Sequence, residues 1–210
     1  YVVRQAIQHL RSVGLVTARK GVGTRVEAAK ATGRFLHAMH SVGDIRQYAK
    51  GMRLEILGTD ETTLRGSKAA LIGARPGRRF LRIFGVRRRD RDNKPISHAE
   101  IFIDAAFSAI KSEIPTVGTA IWEVIERHYG ETLVEVEQQI DAVIISDEHA
   151  RLLEVAEGTP ALRVIRRYYA TGRRLIELSI NIHPAKRFAY SMRIKRDVGA
   201  TAWSERKTRR

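Results

Sequence analysis

Residues 2–26 read VVRQAIQHLRSVGLVTARKGVGTRV, and this stretch decides how the N-terminal part of the chain folds. Its apolar residues recur at the spacing of one helix face, at Val3, Ala6, Ile7 and Leu10. Gly14 follows at a place where a left-handed residue commonly ends a helix. Two short β-prone runs then flank residues 20–23, whose two glycines favour a tight hairpin. The predicted order is helix, short strand, basic turn, short strand.

This order is that of the second half of a winged helix-turn-helix, and the stretch resembles the GntR family of bacterial regulators. The family's pattern is met at Val3, Arg4, Ala6, Leu10, Gly14, Leu15, Val16, Gly21, Gly23, Thr24 and Val26. Val2 stands where the family often has threonine. The resemblance implies that residues 1–27 are the C-terminal half of a truncated winged helix-turn-helix, followed by a small, polar linker at 28–33.

Five residues of this segment are the candidates for contact with DNA. Arg4, Gln8 and Arg11 share the solvent-facing side of the predicted helix. Because a guanidinium pairs bidentately with guanine, Arg4 is expected to contact a base edge, and Gln8 and Arg11 to add base or phosphate contacts. Lys20 and Gly21 would approach a phosphate or the minor groove at the tip of the wing. From charge alone, the alternative is that Arg4 and Arg11 only solvate a helix face.

Positive charge is concentrated at the two ends of the chain. The formal net charge of the 210 residues is +15. Residues 1–30 carry six Lys or Arg and one acidic residue, and residues 186–210 carry nine and two. A polyanionic partner such as DNA, RNA or anionic lipid would account for this distribution. The alternative for residues 199–210 is a disordered basic tail that increases solubility.

The composition also limits the class of protein. No apolar run approaches the length that crosses a bilayer, and no stretch resembles a secretory signal. The absence of cysteine excludes disulfides and thiolate metal sites. We therefore expect a cytoplasmic protein with no cofactor, no metal site and no membrane partner.

Residues 34–198 have the apolar pattern of an α+β domain. Alternation of period two predicts strands over 53–61, 79–90, 96–104, 132–145, 161–170, 174–183 and 187–196. Helices are predicted over 67–73, 118–129 and 147–156, and residues 35–48 are helix-like with a break near Gly43. Many antiparallel strands with a few interposed helices predict an α+β fold built on an antiparallel sheet. The sequence shows no internal repeat.

Three polar features of the predicted strands stand out. Arg87 and Arg89 share one face of a strand, where two guanidiniums can converge on a carboxylate or a phosphate. A polar row on a later strand consists of Glu177, Ser179, Asn181 and His183. Such a row can also be a sheet face that meets water. Glu100 interrupts an apolar strand, so it either pairs with an arginine or lines a cavity.

These strands carry a second resemblance. The segments VRRRDRDNKPISHAEIFI (86–103), GTAIWEVIERHYG (118–130) and EQQIDAVIISDEHARLLEVAEGTPALRVIRRYYATGRRLIELSI (137–180) resemble, in order, the UTRA effector-binding domain of the HutC branch of GntR regulators. The resemblance implies a chorismate-lyase-like fold. It also implies that Arg87 and Arg89 anchor an anionic ligand, with Glu100 as a polar contact and Glu177 on the facing strand.

The resemblance extends to two further candidates for effector binding. Thr119 stands where the family often has serine at the start of a helix, and its hydroxyl with the helix N-terminus could hold an anion. His183 stands where some members have tyrosine, which leaves the identity of the ligand open. Arg166 and Arg167 are additional candidates, with ordinary strand charges as the alternative.

Together the two resemblances imply a ligand-responsive bacterial transcriptional regulator, a repressor that senses a small anionic metabolite. A homodimer is expected, because two-fold proteins match palindromic operators. The alternative is a chorismate-lyase-like enzyme acting on a carboxylated small molecule. No nucleophile–base pair, metal cluster or phosphate loop has the required spacing, so we predict that the protein is not an enzyme. A basic RNA-binding domain is a third reading, but an aromatic platform for RNA is lacking.

Overall fold

The computed structural model describes residues 51–73, 75–114 and 120–190, three short segments at 16–19, 23–26 and 35–37, and positions 3, 7, 42, 43 and 45. Several predicted functional residues lie outside this described part: Arg4, Gln8, Arg11, Lys20, Gly21 and Thr119. The predicted linker at 28–33 and the predicted basic tail at 199–210 also lie outside it.

The predicted N-terminal hairpin is present. Strand β1 (Val16–Arg19) pairs in antiparallel fashion with β2 (Gly23–Val26). Gly23, opposite Arg19, has a φ of +86°, a conformation that glycine adopts at little cost. Positions 3 and 7 are helical, in agreement with the helix predicted before the hairpin.

A six-stranded antiparallel sheet forms the body of the protein. Its strands are β4 (Met52–Thr63), β5 (Arg79–Arg89), β6 (Pro95–Asp104), β7 (Leu133–Ile144), β8 (Pro160–Ala170) and β9 (Arg174–Pro184). Their order across the sheet is β4-β5-β6-β9-β8-β7. Each strand lies within two residues of a predicted one at both ends, because half-buried strands show a clear period of two.

Three α-helices connect the strands: α1 (Gly66–Ile72), α2 (Ile121–Tyr129) and α3 (Asp147–Leu153). Each coincides with a predicted helix. Gly130 ends α2 in the left-handed conformation. A 3-10 helix over Ala105–Ser112 was not predicted.

The helix predicted over residues 35–48 is wrong at its beginning. Residues Phe35–His37 form strand β3, which pairs in parallel with β10 (Phe188–Tyr190). Positions 42, 43 and 45 are helical, and these include Gly43, near which a break was predicted. The error arises because β10, some 150 residues away in the sequence, supplies the hydrogen-bond partner that makes the strand.

The two faces of the sheet are covered differently. We call the face that packs against α2 and the 3-10 helix the inner face; its core includes Leu81, Ile83, Ile101, Trp122 and Ile125. The opposite, outer face carries α1 and α3. These two helices belong to separate apolar clusters, one around Ile72 and Phe102 and the other around Leu153 and Ala161.

The sheet is built from two halves with the same plan, although the sequence shows no internal repeat. Residues 52–104 and 133–184 each form a long strand, a seven-residue helix and two further strands. The halves meet where β6 pairs with β9, and the strand order is symmetric about that pairing. Glu100 and Ile180 lie directly opposite each other near its centre.

Equivalent residues of the two halves are 81 positions apart through the first two strands and the helix. Gly77 donates its backbone N–H to Leu64 at 2.8 Å, and Gly158 donates to Ile145 at 3.1 Å. Both glycines have a positive φ, +86° and +77°. Few side chains are identical between the halves, which is why the repeat is not evident from the sequence.

Candidate functional site

A small cavity, which we call the inner pocket, lies between the inner face of the sheet and the start of α2. Its polar lining consists of Arg87, Arg166, Tyr168, Glu177, Ser179 and Asn181, and its apolar lining consists of Ile45, Ile101, Ala120, Ile121 and Trp122. Its volume is about 30 Å³.

Strand register explains why these polar residues converge. In antiparallel pairs, residues directly opposite each other point to the same face. Tyr168 lies opposite Glu177, and Arg166 lies opposite Ser179, where β8 pairs with β9. On the other side of β9, Asn181 lies opposite Ala99. Alternation along each strand therefore directs the polar row of β9 into the space below α2.

Glu177 is the buried carboxyl group of the pocket. The backbone N–H of Trp122 donates a hydrogen bond to it, while its Oε2 atom has no hydrogen-bond partner among the described residues. Burial raises the pKa of Glu177 to about 7, although the guanidiniums of Arg87 and Arg166 act in the opposite direction. The group is therefore poised between its neutral and charged forms at physiological pH.

Two guanidiniums face this carboxyl group. Arg166 is buried and donates through Nε to Gln138 Oε1 at 2.8 Å. Arg87 is half-buried, and within the part of the chain that the structure describes it makes no hydrogen bond. Arg87 thus presents an available cation to the pocket.

Asn181 adds an acceptor to the same cavity. Its amide nitrogen donates to Ser179 Oγ at 3.3 Å, whereas its buried Oδ1 atom meets no donor from any residue described. Buried polar atoms are usually hydrogen-bonded in native structures, so Oδ1 is an acceptor that a ligand could use. The pocket can therefore hold a ligand that combines an anionic group with hydrogen-bond donors.

The predicted pair Arg87 and Arg89 does not act together in this structure. Both side chains leave β5 on the same side, but the Nε atom of Arg89 donates to Asp92 Oδ1 at 2.8 Å in the turn that follows. This hydrogen bond holds the pKa of Asp92 down at about 2. The structure brings Arg87, and not Arg89, to the inner pocket.

The resemblance implies that Glu100 contacts the same ligand as Arg87, but the structure places the two residues on opposite faces of the sheet. Alternation along β6 directs it to the outer face, where its Oε1 atom accepts from Lys68 at 2.9 Å and from Arg82 at 3.1 Å. On the Arg87 side of β6, Ser97 lies directly opposite Arg87 and Ala99 follows it on the same face. Both readings left open for Glu100 hold, because it pairs with Arg82 and also lines a cavity on the outer face.

His183 lies on β9 beyond the pocket. It is fully buried, and its ring stacks on Phe188 with the centroids 4.2 Å apart. The chain turns back after β9, so β10 covers this end of the polar row. The structure therefore separates His183 from Glu177, Ser179 and Asn181.

Sequence reasoning singled out Arg166 and Arg167 without distinguishing between them. Arg166 lines the inner pocket, whereas Arg167 points outward and donates through Nε to the carbonyl of Ile72 at 2.6 Å, at the end of α1. Tyr168 and Trp122 were not predicted as lining residues. The register of β8 against β9, which places Tyr168 opposite Glu177, is the signal that identifies Tyr168.

The fold and the pocket are those of a domain that can hold a small ligand. Residues 49–189, more than half of the chain, match the family described as the UTRA domain. The chain belongs to the UTRA domain family. The matched region lies inside the predicted domain at 34–198.

The relatives are regulators of the GntR family. The histidine utilization repressor of Pseudomonas putida is 23% identical over 189 residues, which cover 88% of this chain and 73% of that protein. The structure of PhnF from Mycobacterium smegmatis aligns with a TM-score of 0.62 at 19% identity, covering 92% of this chain and 84% of the other. A GntR-family transcriptional regulator from Enterococcus faecalis aligns with a TM-score of 0.57 at 22% identity, covering 67% and 99%.

These similarities confirm the UTRA assignment, the homology to HutC-type regulators of the GntR family and the chorismate-lyase-like α+β fold. The protein is a transcriptional regulator with a ligand-binding domain, and its relatives are not enzymes. Within the part of the chain that the structure describes, each helix is too short or too polar to cross a membrane.

Proposed function

We propose that the protein is a ligand-responsive bacterial repressor that binds operator DNA as a homodimer and senses a small anionic metabolite in the inner pocket. One observation carries the proposal: the half-buried guanidinium of Arg87 lies in a pocket beside buried acceptors of Glu177 and Asn181 that lack donors among the described residues. Both features suit a ligand that has an anionic group and hydrogen-bond donors.

The lining specifies the chemistry of the effector. Arg87 and Arg166 would bind a carboxylate or phosphate, because guanidiniums form charge-assisted hydrogen bonds with both anions. Glu177 Oε2 and Asn181 Oδ1 would accept hydrogen bonds from N–H or O–H groups of the same molecule. The effector is therefore a small amino, imino or hydroxy acid, or a phosphorylated compound with hydroxyl groups. Thr119 stays a proposed contact of its anionic group.

The position of the pocket suggests how binding would change the protein. Its lining comes from β9 and from the start of α2, so a ligand in the pocket would bear on the distance between these two elements. A ligand that binds one arrangement of them more tightly would shift the population toward that arrangement. Such differential binding is what a ligand-controlled repressor requires.

The DNA-binding half of the proposal depends on the N-terminal segment. Arg4 would contact a base edge, with Gln8, Arg11, Lys20 and Gly21 adding base or phosphate contacts. The positive charge of residues 1–30 would favour the operator, and the protein would act in the cytoplasm, where that DNA lies. In a protein with a complete winged helix-turn-helix, Arg4→Ala should cost about 1–3 kcal/mol at one base position. Unchanged sequence preference would contradict the assignment of Arg4.

Thermal shifts against a panel of small anionic metabolites test the effector site. A true effector at about 100 times its dissociation constant should stabilise the protein by about 2.7 kcal/mol, and Arg87→Met should remove this stabilisation. Lys111→Met, which changes an exposed cation of the 3-10 helix, is the matched control and should leave it unchanged. If Arg87→Met retains the full shift, the inner pocket is not the effector site.

A further inference from the structure

A second and larger cavity, which we call the outer cleft, lies on the opposite face of the sheet. It opens between α1 and α3, above the pairing of β6 with β9, and its volume is about 420 Å³. The residues that define its chemistry are Lys68, His98, Glu100, His149, Arg163 and Ile180. Clefts of about 300–1,000 Å³ with an apolar floor and a few polar groups are typical small-molecule sites.

The cleft exists because the two outer helices do not meet. Helices α1 and α3 have seven residues each, and each packs on its own apolar cluster. The gap between them lies over Glu100 and Ile180, where β6 of the first half pairs with β9 of the second half. The floor is therefore part of the rigid centre of the sheet, and it does not depend on the inner pocket.

A donor and an acceptor lie side by side on one wall. Lys68 Nζ donates to Glu100 Oε1 at 2.9 Å, which leaves two of its three hydrogens for other partners. Glu100 Oε2 accepts no hydrogen bond from the residues that the structure describes. This wall is complementary to the edge of a ring in which an N–H donor adjoins a carbonyl or ring-nitrogen acceptor.

The charges around the cleft are balanced. Three cations, Lys68, Arg82 and Arg163, are each paired with a carboxylate, on Glu100, Asp60 and Asp141. His98 is largely uncharged near pH 7, because burial first and the neighbouring His149 second lower its pKa to about 4. A ligand with a net charge would find no unpaired opposite charge among these groups. An uncharged polar ligand would not need one.

The remaining surfaces suit a flat molecule. The rings of His98 and His149 lie 4.7 Å apart at an interplanar angle of 62°, and they form one end of the cleft. Ile180 provides an apolar floor beside them. A planar ring placed here would contact an imidazole and the isoleucine while its polar edge faces Lys68 and Glu100.

We infer that the outer cleft binds an uncharged planar heteroaromatic ring whose edge carries adjoining hydrogen-bond donor and acceptor atoms, the chemistry of a nucleobase. Glu100 accepts from the ring N–H, Lys68 donates to the adjoining oxygen or nitrogen, and the ring lies on Ile180 against the two histidines. The site is distinct from the inner pocket, which is lined for an anion.

Two probes that differ by one methyl group test this edge. Theophylline has an N–H beside a carbonyl oxygen, and caffeine has a methyl group in place of that hydrogen. In NMR titrations, theophylline should shift the ring signals of His98 and His149, and caffeine should bind about tenfold more weakly because it leaves Glu100 without a donor. Equal affinities would overturn the proposed recognition, and so would tighter binding of benzoate, a flat carboxylate.

Matched variants locate the binding. Lys68→Met removes the donor from an exposed helix and should weaken theophylline binding about fivefold or more, whereas Lys111→Met should not change it. Arg87→Met removes the cation of the inner pocket and should leave theophylline binding unchanged. If Arg87→Met abolishes it, the probe binds in the inner pocket and the outer cleft is not a site. Effector binding tests the proposed function and theophylline binding tests this inference. If Arg87→Met loses the effector and Lys68→Met does not, the two proposals are tested separately.

Discussion

Arg82 and Arg163 are 81 residues apart and occupy the same position in the two halves of the sheet. Arg82 pairs with Asp60, and Arg163 pairs with Asp141, so the partners are 81 residues apart as well. The equivalence is not complete, because Arg82 also donates to Glu100, whereas Ile180 occupies the corresponding position in the second half. The arginine–aspartate ion pair is therefore present in both halves, whereas the carboxyl group of Glu100 is present only in the first half.

This difference predicts unequal costs for the two arginines. Arg163→Met removes a pair near the surface and should lower the free energy of unfolding by about 0.5 kcal/mol. Arg82→Met also leaves the less exposed Glu100 with Lys68 alone, and it should cost about 1–2 kcal/mol. Urea unfolding of both variants measures the difference. Equal losses would show that the Arg82–Glu100 contact contributes nothing to stability.

The two arginines at the end of β5 should respond differently to an effector. Arg87→Ala should abolish ligand-induced stabilisation, because Arg87 lies in the inner pocket and makes no hydrogen bond to a described residue. Arg89→Ala should retain most of it, because the guanidinium of Arg89 is bound to Asp92. Thermal shifts with the effector identified from the metabolite panel compare the two. If Arg89→Ala lost as much of the stabilisation as Arg87→Ala, the result would favour the joint action of both arginines that the sequence predicted.

Glu177 should make the stability of the protein depend on pH. Its pKa is raised from 4.5 to about 7, so the folded state holds a proton that the unfolded state releases between these values. Stability should therefore fall as pH rises, by about 1.4 kcal/mol per unit within this range and by on the order of 3 kcal/mol in total. Glu177→Gln should remove this contribution and be more stable than the wild type at pH 8.

The comparison of pH 5 with pH 8 isolates this group. Other ionisable groups contribute equally to the wild type and to Glu177→Gln, so the difference between the two proteins reports on residue 177. The variant should gain stability relative to the wild type as the pH increases. A constant difference in urea unfolding free energy at both pH values would mean that Glu177 is charged throughout.

Arg187 should be important for stability although it pairs with no carboxylate among the described residues. Its guanidinium donates to the backbone carbonyls of Pro95, Leu153 and Glu154, which joins the start of β6 to the end of α3. Arg187→Met should lower the unfolding free energy by about 2–4 kcal/mol, because three carbonyls lose a charged donor. Lys186→Met, at an exposed neighbouring position, should have little effect. Similar effects of both variants would contradict the role of these hydrogen bonds.

Most strands of the sheet were predictable from alternation of more and less buried residues, whereas β6 and β9 are buried on both faces and were predictable from their apolar residues. Local pattern also predicted the three helices and the polar row of β9. Phe35–His37 was not predictable, since its strand conformation depends on β10 near the other end of the domain. The sequence of residues 35–37 alone contains no information about that partner.

The candidate site was predictable in part for the same reason. Alternation predicted that Glu177, Ser179 and Asn181 share a face, and the family resemblance added Arg87. Alternation also showed Glu100 interrupting its strand, but the side of the sheet on which Glu100 lies depends on how β6 is registered against β5 and β9. The turn that removes Arg89 from the pocket, and the stacking of His183 on Phe188, are tertiary contacts without a local signal.

The parallel pairing of β3 with β10 places the beginning and the end of the domain side by side. β10 follows β9 after a turn of three residues, and β9 carries the acceptors of the inner pocket. Under the proposed function, a shift of β9 on ligand binding would be passed through this short turn to the pairing of Phe188 with Phe35. The covalent path from Asn181 in the pocket to the N-terminal side of the domain would then be a single short segment of the chain.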